Sequence, residues 1–177
     1  MSTRNGSAKL WRTTNGGTNW QVVSTPATGI LNHAYFITES KGWINLRDEY
    51  NQGRVYYTSN AGQTWVLKND KDVTPFTCSK MRFLDDNTGF AITKGFKVYK
   101  TTDAGKVWEQ VPRNNNYTYL GYSHNDIQVF NSNLVWAGGG HGFLEMNSNA
   151  SGKTIPGAHF KIDTAGLYPV LDRKSVV

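Results

Sequence analysis

TSNAGQTW, residues Thr58 to Trp65, occurs again as TTNGGTNW at Thr13 to Trp20 and as TTDAGKVW at Thr101 to Trp108. The closing residues Trp20, Trp65 and Trp108 are 45 and 43 residues apart, the length of one four-stranded propeller blade. A second landmark keeps the phase: Gly42-Trp43, Gly89-Phe90 and Val135-Trp136 are spaced by 47 and 46 residues. A degraded fourth box is read at Ser148 to Ile155, with Ala150 and Ile155 in the Asp and Trp positions. The expected fold is all-β, a β-propeller or partial propeller of about four four-stranded antiparallel blades.

Local chemistry makes each box a hairpin turn. Asn15, Asn60 and Asp103 can bond the backbone two residues on, and Gly17, Gly62 and Gly105 accept positive φ. Val55, Tyr57 and Val98 alternate with polar residues before the boxes, and each tryptophan begins a return strand and packs across the hairpin. Thr13, Thr58 and Thr101 open the boxes. All these residues are expected to be structural.

With strands A to D per blade, the second blade has A near His33–Thr38, B at Gly42–Leu46, C at Arg54–Ser59 and D at Thr64–Lys68. The third has A near Lys80–Leu84, B at Gly89–Thr93, C at Lys97–Thr102 and D at Val107–Val111, with an A–B turn at 85–88. The whole chain, 1–177, reads as one propeller domain or segment: a half blade at 9–23, blades at 30–68 and 79–111, a degenerate blade at 122–155, and closing strands or a tail at 156–177. The half blade has an open edge. Its strands A and B are expected from the C-terminal region, where His159-Phe160 and Gly166-Leu167 keep the A–B spacing, from another subunit, or from further sequence. A four-blade ring, a larger ring made by two chains, and a segment of a longer propeller all remain open.

The boxes resemble the Asp-box, or BNR, repeat S-x-D-x-G-x-T-W of sialidases, sortilin-like receptors, xyloglucanases and the photosystem II assembly-factor family. The resemblance spans roughly residues 9–155, and the texture GWIN…RVYYTSNAGQTW looks closest to the assembly-factor-like proteins. Asp103 supplies the family's aspartate, whereas Asn15 and Asn60 replace it. In such proteins the box is structural and lies away from the ligand face. The resemblance implies protein recognition, with carbohydrate binding or sialidase-like hydrolysis as the alternative, and an extracytoplasmic or secreted location.

Composition narrows the classes. The 177 residues carry a net charge of +6, 18 glycines and 13% aromatics, which suits one β-rich core with many turns. The charge is scattered. Lys94, Lys97 and Lys100 interleave with Phe96 and Tyr99, but strand alternation explains this, and no nucleic-acid recognition motif accompanies it. Cys78, the single cysteine, reads as a packed small hydrophobe. No metal or cofactor framework is visible, no apolar run spans a membrane, and MSTRNGSAK lacks the apolar core of a signal peptide. A virion component would look the same.

In a propeller the C–D boxes and A–B turns share one face, and the B–C turns and D–A crossings share the other. The latter face is expected to hold Arg47, Asp48, Glu49, Tyr50, Arg113, Tyr117, Tyr119, Tyr122, His124 and His141, charged and aromatic side chains suited to a polar ligand. The sialidase machinery is incomplete: Arg47, Arg82 and Arg113 can be nominated for a carboxylate clamp, but Arg82 lies on a strand and no F/Y-R-I-P segment is present. A two-carboxylate glycosidase would draw on Asp48, Glu49, Asp70, Asp72 and Asp126. His141, within GGGHG, lacks phosphate-loop or metal spacing and reads as a turn tip. Three functions follow: a non-enzymatic binding or assembly scaffold for a protein partner, a glycan-binding or hydrolytic module with Tyr117 and Tyr119 stacking on sugar, or a structural repeat of a larger assembly. A homo-oligomer or a longer chain would complete the ring.

Overall fold

Each box folds by one pattern of side-chain hydrogen bonds. Thr58 Oγ1 accepts from the Asn60 and Gly62 amides at 3.3 and 2.9 Å and donates to Asn60 Oδ1, which accepts from the Thr64 amide. Thr13 and Asn15 repeat this, with Gly17 and Asn19 as donors. Thr101 and Asp103 repeat it again with Gly105 and Val107. Two successive residues take positive φ: Gly16 and Gly17, Ala61 and Gly62, Ala104 and Gly105. A Cβ on Gly17, Gly62 or Gly105 would lie 3.2–3.9 Å from the indole three residues on, so each tryptophan covers its own turn.

A computed structural model describes residues 7–50, 52–69, 77–93, 95, 97–111, 124–139 and 144–148. Blade 1 has β1 (Ser7–Arg12) paired with β2 (Gln21–Thr28). Blade 2 is β3 (Ile30–Phe36), β4 (Gly42–Arg47), β5 (Gly53–Thr58) and β6 (Val66–Leu67), antiparallel in chain order. Blade 3 repeats this with β7 (Cys78–Phe83), β8 (Gly89–Thr93), β9 (Val98–Thr101) and β10 (Glu109–Gln110). Blade 4 contains β11 (His124–Asn131), β12 (Leu134–Gly139) and β13 (Leu144–Ser148). The chain is thus an all-β partial propeller. The fourth box beyond Ser148 and the closing strands expected at 156–177 lie outside the described residues.

The boundaries differ from the sequence reading in one systematic way. Strand D is only two residues long in blades 2 and 3, shorter than the five expected, because the box turn holds the chain through Thr64 and Val107. After β6, the Asn69 side chain takes over the ladder: its Oδ1 accepts from the Val55 amide and its Nδ2 donates to Gly53 O.

The innermost strands β3, β7 and β11 lie beside one another, and the blades fan outward from them. Between blades 2 and 3, Trp43 stacks on Phe83 at 3.7 Å and 4°, and Trp108, Val55 and Met81 complete a buried cluster. Between blades 3 and 4, Phe90 and Ile92 pack on Ile127, Val135 and Ala137. The landmark glycine has a steric cause. Gly42 and Gly89 sit directly opposite Phe36 and Phe83, and a Cβ on either would come within 2.5 and 2.7 Å of the facing ring. In blade 4 the same pair is Val129 and Val135, a smaller residue opposite a larger one, so the summed volume changes little.

Candidate interaction face and inner-strand cluster

Among the described residues, the boxes lie against the A–B turns. Ala61 and Ala104 of the boxes donate to Ser40 and Asn87 of the A–B turns at 2.7 and 2.9 Å, so boxes and A–B turns meet on one side. Lys41 and Asp86 join the A–B turns of blades 2 and 3 by an ion pair there, and the bond from Asp86 raises the Lys41 pKa. On the other side, the crossing glycine Gly29, at φ +144°, sits where a Cβ would meet Arg47 O at 2.5 Å.

The best-defined feature of that second side is the β4–β5 turn. Asp48 Oδ1 accepts from the Tyr50 and Gln52 amides at 3.0 and 2.8 Å, and its Oδ2 takes Arg54 Nε at 3.2 Å. The Asp48 amide donates to Gln52 O, and Arg54 also reaches Gln52 Oε1. Asp48 and Arg54 are largely shielded, at 19% and 14% side-chain exposure, so this pair braces the turn. Tyr50 stands at the tip, 75% exposed. An apolar ring held out on a hydrogen-bonded turn loses little conformational freedom when it is buried by a partner.

Arg47 ends β4, half-buried, and Glu49 is exposed beside Tyr50. His124 opens β11, where the sequence reading had it in the preceding crossing, because its pairing with Gly139 carries the ladder ahead of the Asp126–Gly138 pair. Arg113, Tyr117, Tyr119, Tyr122, His141, Asp70 and Asp72 lie outside the described residues.

Sequence reasoning missed a cluster on the inner strands. His33, Lys80 and Asp126 occupy the same position in β3, β7 and β11, opposite Asn45, Ile92 and Gly138. Their spacings, 47 and 46 residues, match the glycine landmark and were the available signal. His33 Nδ1 accepts from the Met81 amide at 3.4 Å, and Lys80 pairs with Asp126 at 2.9 Å. Burial, reinforced by Arg82 and Lys80, pushes the His33 pKa down to about 4. The Lys80 bond holds the Asp126 carboxyl below its usual range. Arg82 lies over the Tyr35 ring, 5.1 Å from its centre. Below, the buried Asn45 carbonyl accepts from Asn32 and the Cys78 amide. Cys78 is fully enclosed and burial pushes its thiol up to about 12, which leaves it a packing residue rather than a nucleophile.

A cavity of about 560 Å³ lies between blades 1 and 2, lined by Leu10, Trp11, Arg12, Val23, Ala34 and Phe36 among others. Among the described residues no group of three or more His, Cys, Asp or Glu is placed to hold a metal, and no helix is long and apolar enough to cross a membrane.

No protein-family model and no curated protein matches the chain. Solved structures do. A YCF48 bound to a D1 peptide superposes with a TM-score of 0.62 at 19% identity, over 89% of this chain and 48% of that one. YCF48 from Cyanidioschyzon merolae gives 0.63 at 18% identity, over 80% and 44%. The chain spans about half the length of the structures it matches, and at these identities the likeness establishes the β-propeller fold.

Proposed function

We propose that the chain is a non-enzymatic binding or assembly scaffold that recognises a segment of a protein partner through its B–C turn and D–A crossing side. The observation that carries this is the braced β4–β5 turn, which presents Tyr50 three-quarters exposed on a scaffold fixed by Asp48 and Arg54. The YCF48 structure holding a D1 peptide supports the same class of role. We read the three hairpin boxes as Asp-box repeats in which an amide oxygen replaces the carboxylate at Asn15 and Asn60. Their part is to hold the blades, on the side away from the partner.

The test is a random-peptide display selection on the full chain, followed by calorimetric titration of the selected peptides. Tyr50→Ala is expected to weaken binding by tenfold or more, as for a central aromatic anchor. Asp48→Ala, which frees the turn but leaves the ring, is expected to weaken it less. Equal affinity for wild type and Tyr50→Ala would remove this turn from the binding surface.

A further inference from the structure

We propose that the inner-strand cluster binds a carboxylate, with the Arg82 guanidinium as its anchor and the His33 ring as a second donor.

The cluster carries more positive charge than the described residues neutralise. Lys80, Arg82 and Asp126 set two cations against one carboxylate, and that carboxylate is already engaged. Asp126 Oδ1 accepts from Lys80 Nζ and from the Ile127 amide, both at 2.9 Å. The other ion pairs among the described residues, Lys41 with Asp86 and Arg54 with Asp48, leave Arg82 out as well. Arg82 is half-buried, and it rests on an aromatic ring instead of an acid. The Tyr35 hydroxyl donates to Phe83 O at 3.2 Å, which brings the phenol against β7, and the guanidinium lies over that ring, 5.1 Å from its centre. A guanidinium held by a ring face leaves its N–H donors unused, and its planar fork matches a carboxylate with two parallel bonds.

The histidine suits the same ligand. Its Nδ1 accepts from the Met81 amide, so the proton of the neutral ring sits on Nε2, which becomes a donor. Burial, and after it the charges of Arg82 and Lys80, keep the ring neutral down to about pH 4. A partly desolvated site of net positive charge attracts an anion more strongly than the same charge in open water. The cluster is also within reach of solvent, since the Lys80 and Asp126 side chains are 34% and 67% exposed. His33, Tyr35, Lys80 and Arg82 all belong to blades 2 and 3, the two sheets in which four strands are described. The site is separate from the Tyr50 turn and does not rest on the peptide reading.

The test is a titration of the isotope-labelled full chain with sodium acetate at constant ionic strength and neutral pH, followed by NMR at the Arg82 side chain and the His33 ring. Both signals are expected to shift and saturate. Arg82→Gln should weaken the response at least tenfold with an otherwise unchanged backbone spectrum. Arg82→Lys, which keeps the charge without the fork, should weaken it less, and Tyr50→Ala should leave it unchanged. Amidated peptides with one internal glutamate, set against neutral peptides with a free C-terminus, then separate a side-chain carboxylate from a terminal one, and binding of either supports the site. Shifts that sodium chloride reproduces would mean charge screening alone and overturn the proposal. So would an acetate affinity that both Arg82 variants leave intact, while tighter Arg82-dependent binding of methyl phosphate would overturn the assignment to a carboxylate.

Discussion

Blade 1 and blade 3 contain the same turn in two settings. Thr13 and Thr101 bind their box amides at nearly the same distances, yet Trp20 is 56% exposed and Trp108 only 4%. The hydrogen bonds are local and form wherever the sequence places them. The tryptophan's burial is a property of the seam: Phe83 meets Trp108 edge-on at 5.9 Å and Trp43 closes the cluster, whereas Trp20 has no such neighbours among the described residues. A repeat motif therefore specifies geometry at each copy, but stability only where the preceding blade covers it.

The largest effect expected from this contrast is between two identical substitutions. Trp108→Ala should cost about 3–5 kcal/mol, as for a buried aromatic. Trp20→Ala, measured at a concentration where the chain is monomeric, should cost under about 1 kcal/mol. Denaturant unfolding of both variants provides the comparison, and equal losses would mean that the box tryptophan acts through its own hairpin rather than through the seam.

The second tests whether blade 4 is a conservative variation of blade 3. Phe83→Val should cost about 2–4 kcal/mol through the cavity it leaves. Gly89→Val should cost about 1–3 kcal/mol through overpacking against the Phe83 ring. The double variant copies Val129 and Val135, and a coupling of about 1–3 kcal/mol is expected between contacting residues. Additive losses would break the proposed equivalence. The pairing also shows why the architecture was legible and part of its cause was not. The periods of the box and of Gly42, Gly89 and Val135 carried the all-β, four-stranded antiparallel architecture seen in two sheets among the described residues, since turn chemistry is local. That Phe36 and Phe83 are what exclude a side chain at Gly42 and Gly89 depends on cross-strand register, which emerges only when strands pair.

The third prediction concerns the inner edge of the blades, where blades 3 and 4 carry charge at Lys80 and Asp126 beside His33 of blade 2, and blade 1 has no matching strand among the described residues. His33 is held neutral, with a pKa lowered to about 4. Above pH 6.5 it is neutral folded or unfolded and adds no pH dependence. Between 6.5 and 4 the unfolded chain takes up the proton first, so stability falls as pH falls, and below 4 this term levels off. Screening at the partly open edge limits the loss to about 2 kcal/mol. His33→Gln should flatten the slope of unfolding free energy in that window. The cluster was harder to read than the boxes because His33, Lys80 and Asp126 share a position but no chemistry. Their equivalence follows from phase, whereas their interaction follows from the convergence of three inner strands. Tyr50 and Asp48 were legible as turn residues, but the division of labour between a bracing carboxylate and an exposed ring required the hydrogen bonds themselves.

The smallest effect separates Asp103 from Asn15 and Asn60. All three use a side-chain oxygen to accept the box amides, so Asp103→Asn should keep the turn and change stability at pH 7 by less than about 1 kcal/mol. Burial alone would raise the Asp103 carboxyl. The Val107 amide, the Thr101 hydroxyl and the Lys106 amide outweigh it and hold the pKa below the ordinary value. Because the folded pKa is lowered, the contribution is complete above the unfolded pKa near 4 and is lost as pH falls below it, as protonation removes the charged acceptor. Asp103→Asn should remove that acid-limb loss. Asp103→Ala, which removes the acceptor as well, should cost about 1 kcal/mol at pH 7, the net value of hydrogen bonds whose exposed amides water then takes up, and less on the acid limb. If Asn behaves like Ala, the carboxylate charge rather than the acceptor geometry holds box 3, and the three boxes are no longer equivalent turns.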